Sequence, residues 1–165
     1  KLKQEKNVNV LITFFSPSGY ENSKKYPYTD LISYMPFDKK SNAEKFISIA
    51  NPSLTVIMRY DVWPNMITSL KNKNIPIYLV DATLRSNSPR KYPLLKSFHK
   101  ILFGNLSKIL TVSESDAKEF KSFGFDEKKV SAVGDTRFDR VYQRSLLAKD
   151  KQLIKASVLK NKKDE

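Results

Sequence analysis

Three polar clusters, each placed where an apolar run stops, carry the residue types that could bind a ligand. In the first, Ser16, Ser18 and Gly19 offer hydroxyl and amide donors of the kind that receive a phosphate or carboxylate. In the second, the run from Leu54 to Met58 breaks into Arg59, Asp61, Trp63 and Asn65, which supply a cation, a carboxylate, an indole and an amide. In the third, Arg85 lies within the polar segment Asp81 to Ser88. Each cluster also has a purely structural use. Ser18 could cap a helix from Gly19 to Lys25, Arg59 and Asp61 could pair with each other, and Trp63 could anchor a core. The first loop has neither a Lys-Ser/Thr ending nor a G-x-G-x-x-G, so it is neither a Walker loop nor a dinucleotide fingerprint.

Other chemistries are poorly supplied. The sequence has no Cys and a single His, so a thiolate metal site is excluded and zinc would need carboxylate help. No metal and no cofactor is expected. His99 sits between Lys96 and Lys100 on one amphipathic segment and reads as a boundary residue rather than a catalyst. Ser113-Glu114-Ser115-Asp116 reads as a helix cap, with acidic residues on the positive end of the dipole.

The elements that must position these clusters alternate along the chain. Strand runs are expected over Asn9 to Phe15, Leu31 to Met35, Leu54 to Met58, Pro76 to Val80, Lys108 to Val112 and Val130 to Val133. Helices are expected between them. One starts at Asp38 or Ser41 and runs to Ala50, with Phe46, Ile47 and Ile49 on its buried side; one runs from Trp63 to about Lys73. A third, Tyr92 to Asn105, carries Leu94, Leu95, Phe98, Ile101 and Leu102 on its apolar side. Six strand and helix alternations predict an α/β fold with an open, mostly parallel Rossmann-like sheet and helices on both faces. Leu54 to Met58 is expected to be its buried central strand. Ligands of such sheets gather at the carboxyl ends of the strands, where all three clusters fall.

Composition bounds the partner. Thirty Lys and Arg against 17 Asp and Glu give a formal charge of +13, which favours phosphate, nucleic acid or an acidic membrane face. With 40% hydrophobic residues the chain should fold, and no apolar run has the roughly 20 residues that a membrane-spanning helix needs. Residues 1–143 are expected to form one Rossmann-like domain that lacks an upstream segment. Residues 144–165, rich in Lys and free of Pro and Gly, read as a basic linker or a severed helix.

Four stretches, in order, resemble the N-terminal domain of bacterial 3-deoxy-D-manno-octulosonic acid (Kdo) transferases. Thr13 to Glu21 is similar to a T-x-T-x-T/S-G-x-E run, and Trp63-Pro64-Asn65 to the end of E-x-E-x-W-P-N. Asp81 to Ser88, through Tyr92, is similar to an N-A-R-L-S-x-x-S loop, and Val133 to Asp139 to T-G-N-x-K-F-D. The sequence departs from these patterns at Arg59 and Asp61, which hold the two acidic places, and at Asp81, Thr83 and Arg85, which stand for Asn, Arg and Ser. Asp135 and Arg137 stand for Asn and Lys.

The resemblance implies one half of a GT-B glycosyltransferase, moving Kdo from CMP-Kdo to the lipid A precursor of lipopolysaccharide in a Gram-negative bacterium. It further implies that Ser16, Ser18, Gly19, Arg59, Asp61, Trp63, Asn65 and Arg85 line the acceptor side. The family's general base, a Glu, is expected on a segment upstream of Lys1, and CMP-Kdo is expected on a second domain, so this chain would hold no catalytic residue and be inactive alone. The intact enzyme is expected at the cytoplasmic side of the inner membrane, against an anionic surface. Two other readings stay open: a basic nucleic-acid-binding module, which the scattered cations disfavour, and a different Rossmann-like nucleotide-binding enzyme.

Overall fold

The computed structural model describes residues 6–149. Among the described residues six strands, paired in parallel within two sheets, alternate with six helices, with a 3-10 turn at Pro89–Lys91. The strands are β1 (Leu11–Phe14), β2 (Leu31–Tyr34), β3 (Thr55–Met58), β4 (Ile77–Ala82), β5 (Lys108–Thr111) and β6 (Val130–Ala132). The helices are α1 (Pro17–Ser23), α2 (Lys40–Ala50), α3 (Pro64–Asn72), α4 (Pro93–Gly104), α5 (Glu114–Lys121) and α6 (Thr136–Lys149). Every strand expected from the sequence is present; Pro36, Ser113 and Gly134 interrupt three of the runs, the Leu54 to Met58 run stops at the left-handed turn of Arg59, and the Pro76 to Val80 run continues through Asp81 to Ala82.

The described residues gather into two compact units. One takes the residues up to Leu54 together with Trp63–Ile75, and the other takes Thr55–Val62 with the residues from Pro76 onward. The first holds the parallel pair β1-β2, in register from Leu11 opposite Leu31 to Phe14 opposite Tyr34, with α1 packed on both strands. Helices α2 and α3 pack on one another, with Ala43, Ile47, Met66, Ile67 and Leu70 buried. Ile49 is 75% exposed, so α2 buries Ala43 in its place.

In the second unit, β3-β4-β5-β6 form one parallel ladder in chain order. Here the expected placement of the Leu54 to Met58 run is corrected: β3 is the edge of this ladder and leaves Val56 and Met58 exposed. The interior strand with the most buried side chains is β4, where Ile77, Leu79, Asp81 and Ala82 are all buried. Helix α5 packs on β5 and β6. Phe103 of α4 meets Phe120 and Phe123 edge-on, at centroid separations of 5.2 and 5.5 Å, which is the favoured aromatic geometry.

Helix α4 departs from the expected burial. Leu102 and Phe103 are buried, yet Leu94 is 91% and Ile101 70% exposed, with Phe98 and Leu95 also open. Helical spacing defined the face correctly, but these side chains stay exposed among the described residues. Helix α6 continues to Lys149; the rest of the stretch expected as a basic linker or severed helix, residues 150–165, lies outside the described residues. Among the described residues no helix is long and apolar enough to cross a membrane.

Candidate functional site

The first unit organises the Ser16 loop and the Trp63-Pro64-Asn65 turn. Ser16, not Ser18, caps α1: its extended backbone precedes Pro17, and its Oγ accepts from the Gly19 amide at 3.1 Å. That bond uses the Gly19 N–H within the loop. What remains outward are the exposed hydroxyls of Ser16 and Ser18, 3.3 Å apart. Gly19 is required sterically, since a Cβ there would lie 2.8 Å from Phe14 Cδ1. The neighbouring Phe15 stacks obliquely on Trp63 with centroids 4.8 Å apart, which brings the Ser16 loop to the turn that opens α3. Trp63 is half-buried there and Phe15 is exposed, so the pair forms a wall rather than a core plug.

Asn65 is held by a partner that sequence reasoning assigned elsewhere. Asp38, expected to start α2, instead reaches α3: its Oδ2 accepts from the Asn65 backbone amide at 3.2 Å and its Oδ1 from the Met66 amide at 3.0 Å. The Asn65 side-chain amide donates to the Asp38 carbonyl at 2.8 Å. A carboxylate on two first-turn amides satisfies helix donors that have no partner within the helix, and it favours the positive end of the dipole. The Asn65 nitrogen is therefore committed to positioning α3.

The second unit collects the carboxyl ends of β3, β4 and β6. Arg59 turns the chain at the end of β3 with φ +62°, and its amide donates to the Val80 carbonyl at 2.7 Å. No ion pair joins Arg59 to Asp61, which is exposed. Instead Arg59 is close enough to Asp135 to help hold that carboxylate ionised. Arg85 opens a turn in which the Ser88 amide donates to the Arg85 carbonyl, and its side chain is exposed. The base of that loop is fixed by Asp116, whose Oδ1 accepts from the Leu84 amide at 2.8 Å, and by an ion pair between Lys91 and Glu119.

Asp81 is the main residue that sequence reasoning missed. It was expected to cut β4 and begin a loop, but it lies within the strand at an irregularity of the β4-β5 register, fully buried, with φ +53°. Its Oδ1 accepts from the Thr136 amide at 3.2 Å and its Oδ2 from the Thr136 hydroxyl at 2.6 Å. Asp and Asn tolerate the left-handed region better than other side chains with a Cβ, which suits this position. Asp135, also buried, receives Arg137 through Nε and Nη2 at 3.0 and 2.6 Å, and the Arg137 amide at 2.8 Å. These bonds, with the nearby Arg59 charge, hold the Asp135 carboxyl below its ordinary value, at about 2. Arg137 is stabilised in its charged form by Asp135 and by the more distant Asp81.

The strand ends thus present three guanidinium groups, from Arg59, Arg85 and Arg137, and two buried carboxylates that fix the backbone beneath them. The signal for Asp81 and Asp135 was available, because both stand in motifs singled out by residue type; their partners, 55 and two residues away, were not. His99 is structural, its Nδ1 lying 2.8 Å from the Leu95 carbonyl oxygen.

The sequence matches the family described as 3-deoxy-D-manno-octulosonic-acid transferase (kdotransferase) over residues 1–140. The chain belongs to the Kdo transferase family. It is 26% identical over 145 residues to the 3-deoxy-D-manno-octulosonic acid transferase of Haemophilus influenzae, covering 87% of this chain and 34% of that protein. The corresponding enzyme of Rickettsia typhi is 27% identical over 153 residues, covering 92% of this chain and 32% of its own. A bifunctional glycosyltransferase/methyltransferase of Fusobacterium nucleatum is 31% identical over 133 residues, 79% of this chain and 21% of that one. The chain therefore spans about a third of the length of the Kdo transferases it matches. Among solved structures, a UDP-N-acetylglucosamine 2-epimerase from Rickettsia bellii superposes with a TM-score of 0.65 at 12% identity, over 92% of this chain and 43% of that one. A putative UDP-N-acetylglucosamine 2-epimerase from Listeria monocytogenes gives 0.63 at 12% identity, over 97% and 45%. At that identity the likeness concerns the fold alone, an α/β fold of parallel strands alternating with helices.

Proposed function

We propose that this chain is the acceptor-side domain of a glycosyltransferase that moves Kdo from CMP-Kdo to a lipid A precursor. The observation that carries the reading is the family match over residues 1–140. The strand-end chemistry supports it. A phosphorylated lipid acceptor calls for cations and hydroxyl donors; Arg59 and Arg85 lie at the carboxyl ends of β3 and β4 in one unit, and Ser16, Ser18 and the Phe15-Trp63 wall lie together in the other. The roles of Gly19 and Asn65 are then to shape the loop and to seat α3, and Asp61 stays free for an acceptor hydroxyl.

The reaction breaks the bond between the Kdo anomeric carbon and a phosphate oxygen of CMP and forms one to an acceptor hydroxyl oxygen. The hydroxyl proton passes to a general base, and the departing nucleotide carries off the electron pair. In this reading the base and the CMP-Kdo site belong to the remainder of the enzyme, so the chain alone binds acceptor without turning it over. The complete enzyme works at the cytoplasmic face of the inner membrane of a Gram-negative bacterium.

The test uses the complete parent protein with CMP-Kdo and a lipid A precursor. Kdo transfer should be observed, and Arg59→Ala or Arg85→Ala should raise KM for the acceptor about tenfold, the loss of one charge-assisted hydrogen bond, while KM for CMP-Kdo stays unchanged. Absence of transfer by the complete enzyme would overturn the proposal.

A further inference from the structure

The side chain of Arg85 is exposed, but the backbone that carries it is pinned on both sides. On one side the amide of the buried Leu84 donates to Asp116 Oδ1 at 2.8 Å. On the other the Ser86 carbonyl accepts from Lys91 Nζ at 3.1 Å, and that ammonium is ion-paired with Glu119. Between them the Arg85 carbonyl accepts from the Ser88 amide at 3.0 Å, and the Lys91 amide donates to the Ser88 carbonyl at 3.0 Å. Both carboxylates come from α5. Asp116 and Glu119 are three residues apart in that helix, so they stand one turn apart on one face and hold the loop at two points. Exposed loop tips of small and polar residues are ordinarily the mobile part of a fold, and Ser86 and Asn87 form such a tip. Here the tip is fastened. Lys91 and Glu119 have side-chain exposures of only 27% and 18%, so water and salt screen their attraction less than that of a surface pair.

From this we infer that Glu119, acting through Lys91, is a positioning residue for Arg85: the pair holds the backbone of residues 84–86 in one conformation, so that the guanidinium is presented ready to meet a phosphate of the acceptor. With the backbone already ordered, binding immobilises only the arginine side chain, and the affinity that loop ordering would otherwise remove is kept. The pair touches neither the acceptor nor the reacting atoms. Its effect therefore falls on acceptor binding and not on the chemical step. Asp116 does the same for Leu84, but it also takes part in the Ser113 cap of α5, so Glu119 is the cleaner probe. The inference rests on the proposed function, which gives Arg85 its ligand, and goes beyond it by giving an ion pair outside the strand-end cluster a part in acceptor affinity.

A double-mutant cycle in the complete enzyme, with CMP-Kdo and a lipid A precursor, tests this. Glu119→Gln should raise KM for the acceptor about threefold, the effect of one more segment to be ordered on binding, while kcat and KM for CMP-Kdo stay unchanged. Lys91→Met should do the same. In the Arg85→Ala background Glu119→Gln should have no further effect on KM, because the group it positions is gone. In the 165-residue chain Glu119→Gln should speed exchange of the Ser88 and Lys91 amides. An unchanged acceptor KM in Glu119→Gln, the same increase with and without Arg85, or a fall in kcat at constant KM would each overturn the inference, the last because it marks a purely structural pair. Any of these beside normal Kdo transfer by the wild type overturns the positioning role alone, whereas absence of transfer by the wild type overturns the proposed function.

Discussion

The buried carboxylate of Asp81 accepts both the amide and the hydroxyl of Thr136, at 3.2 and 2.6 Å, and so ties the end of β4 to the first turn of α6. Asp81→Ala should remove both acceptors, leave two Thr136 donors unpaired and place a side chain without local hydrogen bonding in the left-handed region. Together these predict a loss of about 3 kcal/mol in urea unfolding. Asp81→Asn, which keeps one acceptor, should cost less than about 1.5 kcal/mol. Equal losses for the two variants would contradict the assignment.

Asp38 serves α3 in the same way across 27 and 28 residues. Asp38→Ala should destabilise the protein by about 1–2 kcal/mol, as for loss of a helix cap, and should raise amide exchange at Asn65 and Met66 selectively. Since Asp38 does not cap α2, exchange at the start of that helix should be unaffected.

Asp135 gives the pH dependence a sign. Its carboxyl is lowered from 3.8 to about 2 because Arg137 donates to it twice and through its amide. A folded value below the unfolded one means that the stabilisation is present above 3.8 and is lost as pH falls from there toward 2. Carboxyl-carbon titration by NMR should place the Asp135 midpoint near 2 in the wild type and nearer 3.8 in Arg137→Gln. The stability gap between the wild type and Asp135→Asn should narrow over the same window.

Gly19→Ala sets two effects against each other. Alanine ordinarily gains about 1 kcal/mol over glycine in a helix, but here its Cβ would meet Phe14 Cδ1 at 2.8 Å and Ser16 Oγ at 3.1 Å. Overpacking of this kind costs about 1–3 kcal/mol, so a net loss is expected, accompanied by displaced Phe14 ring resonances.

These residues also show what was legible in the sequence. The strand positions could be read because each apolar run has a local stop: Pro36 after β2, Pro64 at the start of α3, and Gly134, with φ +95°, after β6. Amphipathic faces could be read as periodicity, yet periodicity does not say whether a neighbour exists to cover the face. Ile49 and Leu94 therefore looked like core residues and are exposed. The side-chain anchors left no periodic trace at all. Asp38 and Asp81 look like loop residues in one dimension, and only the fold supplies the amides that make each an acceptor for a distant helix. The Arg59 and Asp61 pairing, plausible from adjacency, is not formed: Arg59 occupies a left-handed turn, and its charge acts on Asp135.

The central claim is that this chain holds the acceptor side of a Kdo transferase and not the donor side. The most direct measurement is a chemical-shift titration of the full chain with a water-soluble, short-chain phosphorylated lipid A analogue and, separately, with CMP-Kdo. The account predicts shifts at Ser16, Trp63, Arg59 and Arg85 with the lipid analogue and none with CMP-Kdo. Shifts with CMP-Kdo alone, or with neither ligand, would contradict it.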